Sequence, residues 1–502
     1  MGEDVGAAFA RIAEDLGLGL DEASLGVLTA VGEQLLADRA RLDALSAEHA
    51  PAPAPLDGRD GRVPALDENR HHGWVWRCAI AGAADGPLAG RTIALKDTIS
   101  LAGAPLLNGS ELLEGFRPSR DATVVDRLLA AGATIAGKTA VPAFCCEGAG
   151  LIGYPEPLPV NPVDPSRLPG ASSSGSAVVV AAGEADLALG GDQGGSIRIP
   201  ASWCGCVGLK PTFGLVPYTG IFPVELTLDS VGPMARTVAD CASVLDAIAG
   251  RDGRDPRQGA VPTQDYAAAL ADTAPLRIGV LAEGFDLPGA SEPEVDALVR
   301  AIAERLADAG HEVREVSVPM HRDGMAIWNG VCMQGLTDLL LADEAGTNHR
   351  GEFDLELAER IHAIRREAAA GLPDTVKVTM LAGEYLTRNH GVRYYAQAQS
   401  LGRVLARAYD AALADVDVLL MPTTPMRAPA KPSGMSADDR LLLAIGLESA
   451  NNVAPFNVSG HPSLSVPCGA VDGLPVGAGL VGRMFDDATV LRAGAQVERV
   501  RA

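Results

Sequence analysis

Short apolar segments alternate with helical segments from residue 91 onward, and this alternation limits the possible folds more than any other feature of the sequence. Short apolar runs favour buried strands, whereas apolar residues three or four positions apart favour amphipathic helices. Alternation of the two is typical of a layered α/β domain. Strands are predicted at residues 91–95, 133–136, 187–189, 416–421 and 463–466, and helices at residues 121–131 and 176–183.

The first 60 residues differ in character from the rest of the 502-residue chain. Their apolar residues recur mostly at helical spacing, up to an alternating Ala-Pro run at residues 50–55 that predicts a stiff linker. We therefore predict an N-terminal helical segment with its linker at residues 1–60 and the main domain at residues 61–502. Within the main domain, residues 279–407 have mostly helical patterns, which predicts a helical insertion or cap over the sheet. The N-terminal helices could pack on the core or form the contact of a homodimer.

The charge balance restricts the partners that the chain can bind. Its 64 acidic and 41 basic residues give a formal net charge of −23, so no basic surface is expected for nucleic acid or anionic lipid. Eight cysteines without zinc-finger spacing predict neither a disulfide framework nor a metal site. The acidic N-terminus lacks the apolar core of a secretion signal, and no apolar run approaches the roughly 20 residues of a membrane helix. We expect a cytoplasmic protein without a membrane partner.

Two glycine motifs match nucleotide-binding patterns by their letters but not by their context. Residues 132–139, GATIAGKT, have the spacing of a phosphate-binding loop, but the first glycine caps a preceding helix and Ala-Thr-Ile-Ala forms a strand. Residues 148–153, GAGLIG, match a dinucleotide fingerprint, but the proline-rich residues 154–159 cannot form the helix that must follow. Nucleotide binding is therefore disfavoured, and no cofactor is predicted.

Three further segments carry reactive side chains in an unusual setting. Lys96 stands at the C-terminal end of an apolar strand, where a charged residue is unexpected. Residues 169–177, PGASSSGSA, form a loop of small residues that runs directly into an apolar helix. Residues 190–200, GGDQGGSIRIP, contain glycines that let consecutive backbone N–H groups converge on one point, as an oxyanion requires. No histidine lies beside a serine-rich loop, so a catalytic histidine is not predicted.

Together these segments resemble the amidase signature family. The resemblance rests on GASSSGSA at residues 170–177 and on GGDQGGSIRIPASWCG at residues 190–205. It is supported by LKPT at residues 209–212 and GPMART at residues 232–237, and it extends over about residues 74–481. The residues of these motifs are most similar to those of the nitrile-pathway bacterial amidases. The resemblance implies a layered α/β/α core with a mixed sheet, and an enzyme without a metal or other cofactor.

The resemblance also implies a role for each residue of these motifs. Ser196 would attack the amide carbonyl, Ser172 would act as a bridge from a cis peptide bond, and Lys96 would be the general base. The proton would pass from Ser196 through Ser172 to Lys96 and then to the leaving nitrogen, and water would release the acyl group from Ser196. The oxyanion would be held by the backbone N–H groups of Gln193, Gly194, Gly195 and Ser196, and the loop would be braced by Asp192 and Arg198.

Two departures from the usual residues of the family bear on the site. Ala171 and Ser174 stand where the family often has glycines, and neither displaces Ser172 as the bridge. Cys145 and Cys146 stand where the family often has small polar residues. Because this loop lines the substrate cleft in the family, an apolar or bulky acyl or amine group is predicted. The pocket candidates are Phe144, Cys145, Cys146 and Trp328, with Cys332 and Met333 on the same helical segment as Trp328.

The predicted reaction is hydrolysis of a non-peptide carboxamide, which releases ammonia or an amine. The substrate would be a small-molecule amide or carbamate. A urethanase or an aryl-acylamidase would use the same chemistry, and the glutaminase subunit of an amidotransferase would in addition require a partner subunit. A protein that only binds its ligand is disfavoured because Lys96, Ser172 and Ser196 are all present.

Overall fold

The computed structural model describes residues 4–344, 350–446 and 448–501. The chain divides into two compact units, Met1–Pro53 and Ala54–Ala502. The sequence-based boundary at residue 60 lies slightly later along the chain than this division. Each unit has its own internal packing.

The first unit contains two helices, α1 (Val5–Asp15) and α2 (Glu22–His49). Each helix begins after an aspartate, Asp4 or Asp21, whose carboxylate accepts a backbone N–H of the first turn. Such a bond satisfies one of the donors that a helix leaves free at its start. The two helices pack where Gly32 of α2 lies against the ring of Phe9.

The second unit is built on a single mixed sheet of twelve strands among the described residues. The strands are β1 (Gly61–Arg62), β2 (Trp74–Ala81), β3 (Thr92–Lys96), β4 (Thr134–Thr139), β5 (Leu187–Asp192), β6 (Val207–Lys210), β7 (Ser230–Ala235), β8 (Arg277–Leu281), β9 (Glu312–Val316), β10 (Val418–Pro422), β11 (Ser463–Val471) and β12 (Leu474–Gly482). Their order across the sheet is β1-β2-β4-β3-β5-β7-β6-β11-β12-β10-β8-β9. The pairs β4–β3, β3–β5, β10–β8 and β8–β9 are parallel, and the other neighbours are antiparallel.

Helices surround this sheet. They are α3 (Thr123–Ala130), α4 (Ser174–Ala181), α5 (Arg198–Cys204), α6 (Val238–Ile248), α7 (Tyr266–Ala269), α8 (Pro293–Asp308), α9 (Gly324–Leu341), α10 (Leu355–Glu367), α11 (Asp374–His390), α12 (Arg393–Asp415), α13 (Ala437–Ile445), α14 (Pro455–Ser459) and α15 (Asp487–Val500). The predicted α/β class with a mixed sheet is confirmed. Within the described ranges, no helix is long and apolar enough to cross a membrane.

The two faces of the sheet carry side chains of different size. Along β3, Ile93 and Leu95 point into one buried cluster, which also contains side chains of α3, α6, α8 and α15. Ala94, between them, belongs to a second cluster with side chains of α4 and α5. The alternation follows from the two-residue period of a strand. Small residues on the second face let α4 and α5 approach the sheet closely, and Lys96 follows Ala94 on this face by the same period.

The structure corrects the extent of the predicted helical insertion. Within residues 279–407, β9 and most of β8 are strands of the sheet, and α8 packs on its core. The long helices above the sheet are α9, α10, α11 and α12, which begin only at Gly324. The strand β9, EVREV, is short and half exposed at the edge of the sheet. A short run of this kind gives too few periods to distinguish a strand from a helix in the sequence.

Candidate active site

The strand β3 ends in a buried lysine that has only neutral partners. Lys96 is 0% exposed. Its Nζ donates to the Oγ of Ser172 at 2.7 Å and to the carbonyl oxygen of Gly191 at 3.0 Å. The sequence placed Lys96, Ser172 and the glycine-rich loop on three separate segments, and the fold brings all three together at this amine.

Ser172 lies in the loop that precedes α4, and the peptide bond Ala171–Ser172 is cis. The next residue, Ser173, ties this loop to the end of β5, because its Oγ donates to the carbonyl oxygen of Gly191 at 3.0 Å and accepts the N–H of Gly191 at 3.1 Å. The N–H of Ser173 also donates to the carbonyl oxygen of Ser196 at 3.0 Å. Through these bonds the two serine segments lie side by side.

The loop after β5, which carries Ser196, is fixed by a buried ion pair. Asp192 and Arg198 are both 0% exposed and are 2.8 Å apart at their closest oxygen and nitrogen. Burial alone would raise the pKa of Asp192, but the charge and hydrogen bonds of Arg198, with further bonds from Asn457 and Ile197, hold this pKa well below its usual range. These bonds connect Asp192, at the end of β5, to Arg198, at the start of α5, on either side of Ser196.

The backbone N–H groups predicted to form the oxyanion hole differ in their partners. The N–H of Gly195 donates to Oδ1 of Asp192 at 2.8 Å, so it is occupied. Within the described part of the chain, the N–H groups of Gly194 and Ser196 have no acceptor. Both residues line a cavity, and the side chain of Gln193 beside them donates to the hydroxyl of Tyr218 at 3.1 Å. Free donors at a cavity wall can bind an oxygen that gains negative charge.

The cavity in front of Ser196 has a volume of about 670 Å³ and a mostly apolar wall. Its lining includes the predicted pocket residues Cys145, Cys146, Trp328, Cys332 and Met333, together with Ile199, Trp203, Met325, Leu336 and Leu443. Burial raises the pKa of Cys146 well above its usual value, so this thiol is a neutral part of the wall. Such a wall suits an apolar group of a substrate.

Phe144, which the sequence also suggested for the pocket, is not among the described residues that line the cavity. Its ring packs edge-on against Phe222, with 5.7 Å between the ring centroids, inside a separate apolar cluster. The backbone of Phe144 has a φ of +50°. This turn sends Phe144 into the core, while Cys145 and Cys146 line the cavity.

The two nucleotide-like motifs have structural roles. Lys138, the lysine of residues 132–139, lies within β4 and is paired with Asp97 at 2.9 Å, with both side chains buried. Residues 149–152 of the second motif donate their backbone N–H groups to the carboxylate of Glu147 at 2.7–3.3 Å. Burial raises the pKa of Glu147 to about 7, although these four bonds act in the opposite direction. Neither motif offers a free loop that could surround a phosphate.

The sequence did not identify Asn457 as part of the site. Its Nδ2 donates to Oδ1 and to the carbonyl oxygen of Asp192, both at 2.9 Å, and its Oδ1 accepts a bond from Arg198 at 2.7 Å. The only local signal is an amide within the mostly apolar stretch 453–458, VAPFNV. A buried amide needs hydrogen-bond partners, but the sequence does not show which residues these partners are.

Comparison with known proteins shows the family of this chain. A family model described as Amidase matches residues 70–491. The chain is 46% identical over 453 residues to an enantioselective amidase of Rhodococcus rhodochrous, a match that covers 88% of this chain and 86% of the relative. It is 40% identical to one of the subunits of the glutamyl-tRNA(Gln) amidotransferase of Halobacterium salinarum, over 85% of this chain and 99% of the relative.

A solved structure of an amidase also matches this chain. The structure of a peptide amidase in complex with the competitive inhibitor chymostatin matches with a TM-score of 0.65 and 33% identity. The match covers 83% of this chain and 84% of that one. The family match spans most of the second unit, including the strands and loops that carry Lys96, Ser172 and Ser196. The chain therefore belongs to the amidase family and is a hydrolase that acts on the C–N bonds of amides.

Proposed function

We propose that this enzyme hydrolyses small, neutral carboxamides through an acyl-enzyme intermediate on Ser196. In this proposal Ser172 relays the proton and Lys96 is the general base. The observation that carries the proposal is the hydrogen bond of 2.7 Å between Lys96 Nζ and Ser172 Oγ, in a buried environment next to the Ser196 loop. The absence of an acidic partner for Lys96 among the described residues also supports it, because the amine is directed to Ser172 and is not held in an ion pair.

The proposed reaction has two steps. In the first, Oγ of Ser196 attacks the amide carbonyl carbon while its proton passes to Ser172, whose own proton passes to Lys96. The negative oxygen is held by backbone N–H groups of the 193–196 loop until the C–N bond breaks, and the leaving nitrogen takes the proton from the relay. In the second step, water attacks the ester on Ser196 through the same relay, which releases the carboxylic acid.

The lining of the cavity supports a largely apolar acyl group without a negative charge. None of the described residues that line it is Arg, Lys or His. A substrate carboxylate would therefore lose its hydration at this wall without gaining an ion pair, which is unfavourable. Cys146, Trp328 and Leu336 instead offer apolar contact surface. Aromatic or branched aliphatic amides fit this lining best.

Substitution of the three proposed catalytic residues tests the mechanism. We expect Ser196→Ala to lower kcat by at least about 10⁴-fold, since removal of a nucleophile leaves only binding and oxyanion stabilisation. Ser172→Ala and Lys96→Ala should each lower kcat by about 10²–10⁴-fold, the usual contribution of general acid–base catalysis. The rate is measured as ammonia or amine released from an aromatic carboxamide.

The neighbouring Ser174 provides a matched control. Its Oγ is buried and has no hydrogen-bond partner among the described residues, so Ser174→Ala should keep most of the wild-type rate. A fluorophosphonate probe should label wild-type enzyme at Ser196 and fail to label Ser196→Ala. Substantial turnover by a folded Ser196→Ala variant would contradict the assignment of the nucleophile.

A second candidate is the glutaminase subunit of an amidotransferase. The observation that favours it is the 40% identity to the Halobacterium salinarum amidotransferase chain over 99% of that relative. Glutamine carries an α-carboxylate and an α-ammonium, and the absence of a basic residue from the described lining disfavours the former. The purified single chain is assayed with glutamine, aliphatic and aromatic amides, anilides and carbamates. Inactivity of the folded single chain on every substrate of the panel would favour the second candidate, which requires a partner subunit. Preference for carbamates or anilides would identify a urethanase or an aryl-acylamidase.

A further inference from the structure

The helix α9 sends one side chain to the backbone of the Ser196 loop. Nε1 of Trp328 donates to the carbonyl oxygen of Gln193 at 2.7 Å. The indole also lies directly against the next residue, because a methyl group added to Gly194 would meet three indole atoms at 2.8–3.0 Å. The sequence suggested Trp328 only as a pocket residue, and this contact with the backbone adds a different role.

The contact fixes the direction of one peptide group. The bond between Gln193 and Gly194 is trans, and in a trans peptide the C=O and N–H point in opposite directions. With the carbonyl oxygen of Gln193 held by the indole, the N–H of Gly194 points away from the indole. This N–H has no acceptor within the described part of the chain, and Gly194 lines the cavity. It is therefore a donor available to a ligand in the cavity.

The same contact also strengthens the donor. A hydrogen bond accepted by the carbonyl of a peptide polarises that peptide, so its N–H becomes a better donor. Gly194 lacks a side chain that could hold the loop through packing, and its neighbour Gly195 has a φ of +112°. Without the indole, the peptide between Gln193 and Gly194 could rotate at little steric cost.

We propose that Trp328 is a positioning residue, which orients and polarises the peptide of Gln193 and Gly194 so that the N–H of Gly194 meets the oxyanion of the transition state. This inference rests on the proposed reaction at Ser196. It makes the cap helix α9 part of the catalytic apparatus rather than only a wall of the pocket. The effect acts on charge that appears in the transition state, so kcat depends on it and substrate binding does not.

Trp328→Phe tests the proposal, since it keeps an aromatic ring and removes the donor. We expect kcat to fall by about 10- to 100-fold, somewhat less than the loss of an oxyanion donor, with KM changed little. A trifluoromethyl ketone with the acyl group of the substrate forms a tetrahedral adduct with a serine nucleophile. Its affinity should fall by the same factor as kcat/KM, whereas the affinity for the corresponding primary alcohol, which has the same carbon skeleton and no charged oxygen, should stay unchanged. If Trp328 had only a structural role, kcat/KM and the affinities for both ligands would fall together.

Trp74→Phe is the matched control, because Trp74 donates its indole N–H to Glu184 at the same distance of 2.7 Å, outside the cavity. It should leave kcat unchanged. A second variant replaces the indole of residue 328 with benzothiophene, which has nearly the same shape and no N–H. This variant separates the loss of the N–H donor from the loss of packing that Trp328→Phe also causes. Wild-type kcat in the benzothiophene variant would overturn the proposal. The proposed reaction is judged separately by Ser196→Ala, whose residual turnover would contradict the nucleophile whatever Trp328 does.

Discussion

Three lysines lie at the last or the last but one position of a strand, and all three are fully buried. Lys138 faces the carboxylate of Asp97. Lys96 and Lys210 have no acidic partner within hydrogen-bond distance among the described residues, and Lys210 donates to the carbonyl oxygen of Pro211 at 2.8 Å. The same residue type thus forms a structural ion pair in β4 and the proposed site of proton transfer in β3. Lys210 also has a neutral partner but lies outside the proposed relay, so it is the contact with Ser172 that distinguishes Lys96.

Lys210 allows a test of buried charge outside the proposed relay. Burial, together with the nearby positive charge of Arg198, lowers the pKa of Lys210 to about 7 from an ordinary value of 10.5. Between these values the unfolded chain holds a proton that the folded chain lacks, so the free energy of unfolding rises with pH across this window. Lys210→Met removes this dependence. We expect the variant to gain stability over wild type at about pH 7 and below, and the gain to shrink toward pH 10.

The measurement is the midpoint of thermal unfolding at both pH values. Lys431→Met, at an exposed lysine, is the control and should give no pH-dependent difference. A gain of equal size at about pH 7 and about pH 10 would contradict titration of Lys210 in the folded chain.

At the scale of elements, the close approach of α4 to the sheet positions Ser172, the proposed bridge. Gly175, in the first turn of α4, lies where a methyl group would meet the backbone of Ala140 and the carbonyl oxygen of Gly73 at 2.5–2.7 Å. Small side chains on this face of the sheet make that approach possible. Ser172 lies two residues before the first residue of α4, so the depth of α4 sets the distance between Ser172 and Lys96.

Gly175→Ala should therefore destabilise the fold and disturb the relay together. The new methyl group would meet backbone atoms, which cannot rotate away, so we expect a loss of about 1–3 kcal/mol in the free energy of unfolding. We also expect a lower kcat, since Ser172 would shift relative to Lys96. Gly259→Ala is the control, because nothing lies within 4 Å of the added methyl group. Wild-type stability of Gly175→Ala, measured by denaturant unfolding, would show that α4 is not tightly placed.

At the scale of the molecule, distant parts of the second unit meet at one cavity. Its wall combines the loop after β4, the loop after β5, α9 and the segment around α13. Asn457, from α14, joins the ion pair that braces the Ser196 loop. The proposed relay, the oxyanion donors and the described cavity lining all belong to Ala54–Ala502.

A chain that starts at Ala54 tests whether the second unit is sufficient for catalysis. We expect it to fold and to keep the kcat/KM of the full chain, because every residue that the proposed reaction uses lies within it. Circular dichroism verifies the fold and amide turnover measures the activity. Loss of activity in a folded, shortened chain would show that Met1–Pro53 contributes to the reaction.

The sequence by itself determined the α/β class, several strands near their observed positions and the segments that carry Lys96, Ser172 and Ser196. It could do so because apolar periodicity and short glycine-serine motifs are local properties of the chain. Only the tertiary structure decided that β8 and β9 belong to the sheet, that Phe144 turns into the core, and that the N–H of Gly195 is occupied by Asp192. The contacts of Trp328 and Asn457 with the nucleophile loop were likewise decided by the fold. The contacts of Trp328 and Asn457 join residues more than 100 positions apart. Packing brings such distant side chains together, and no local pattern of the sequence encodes it.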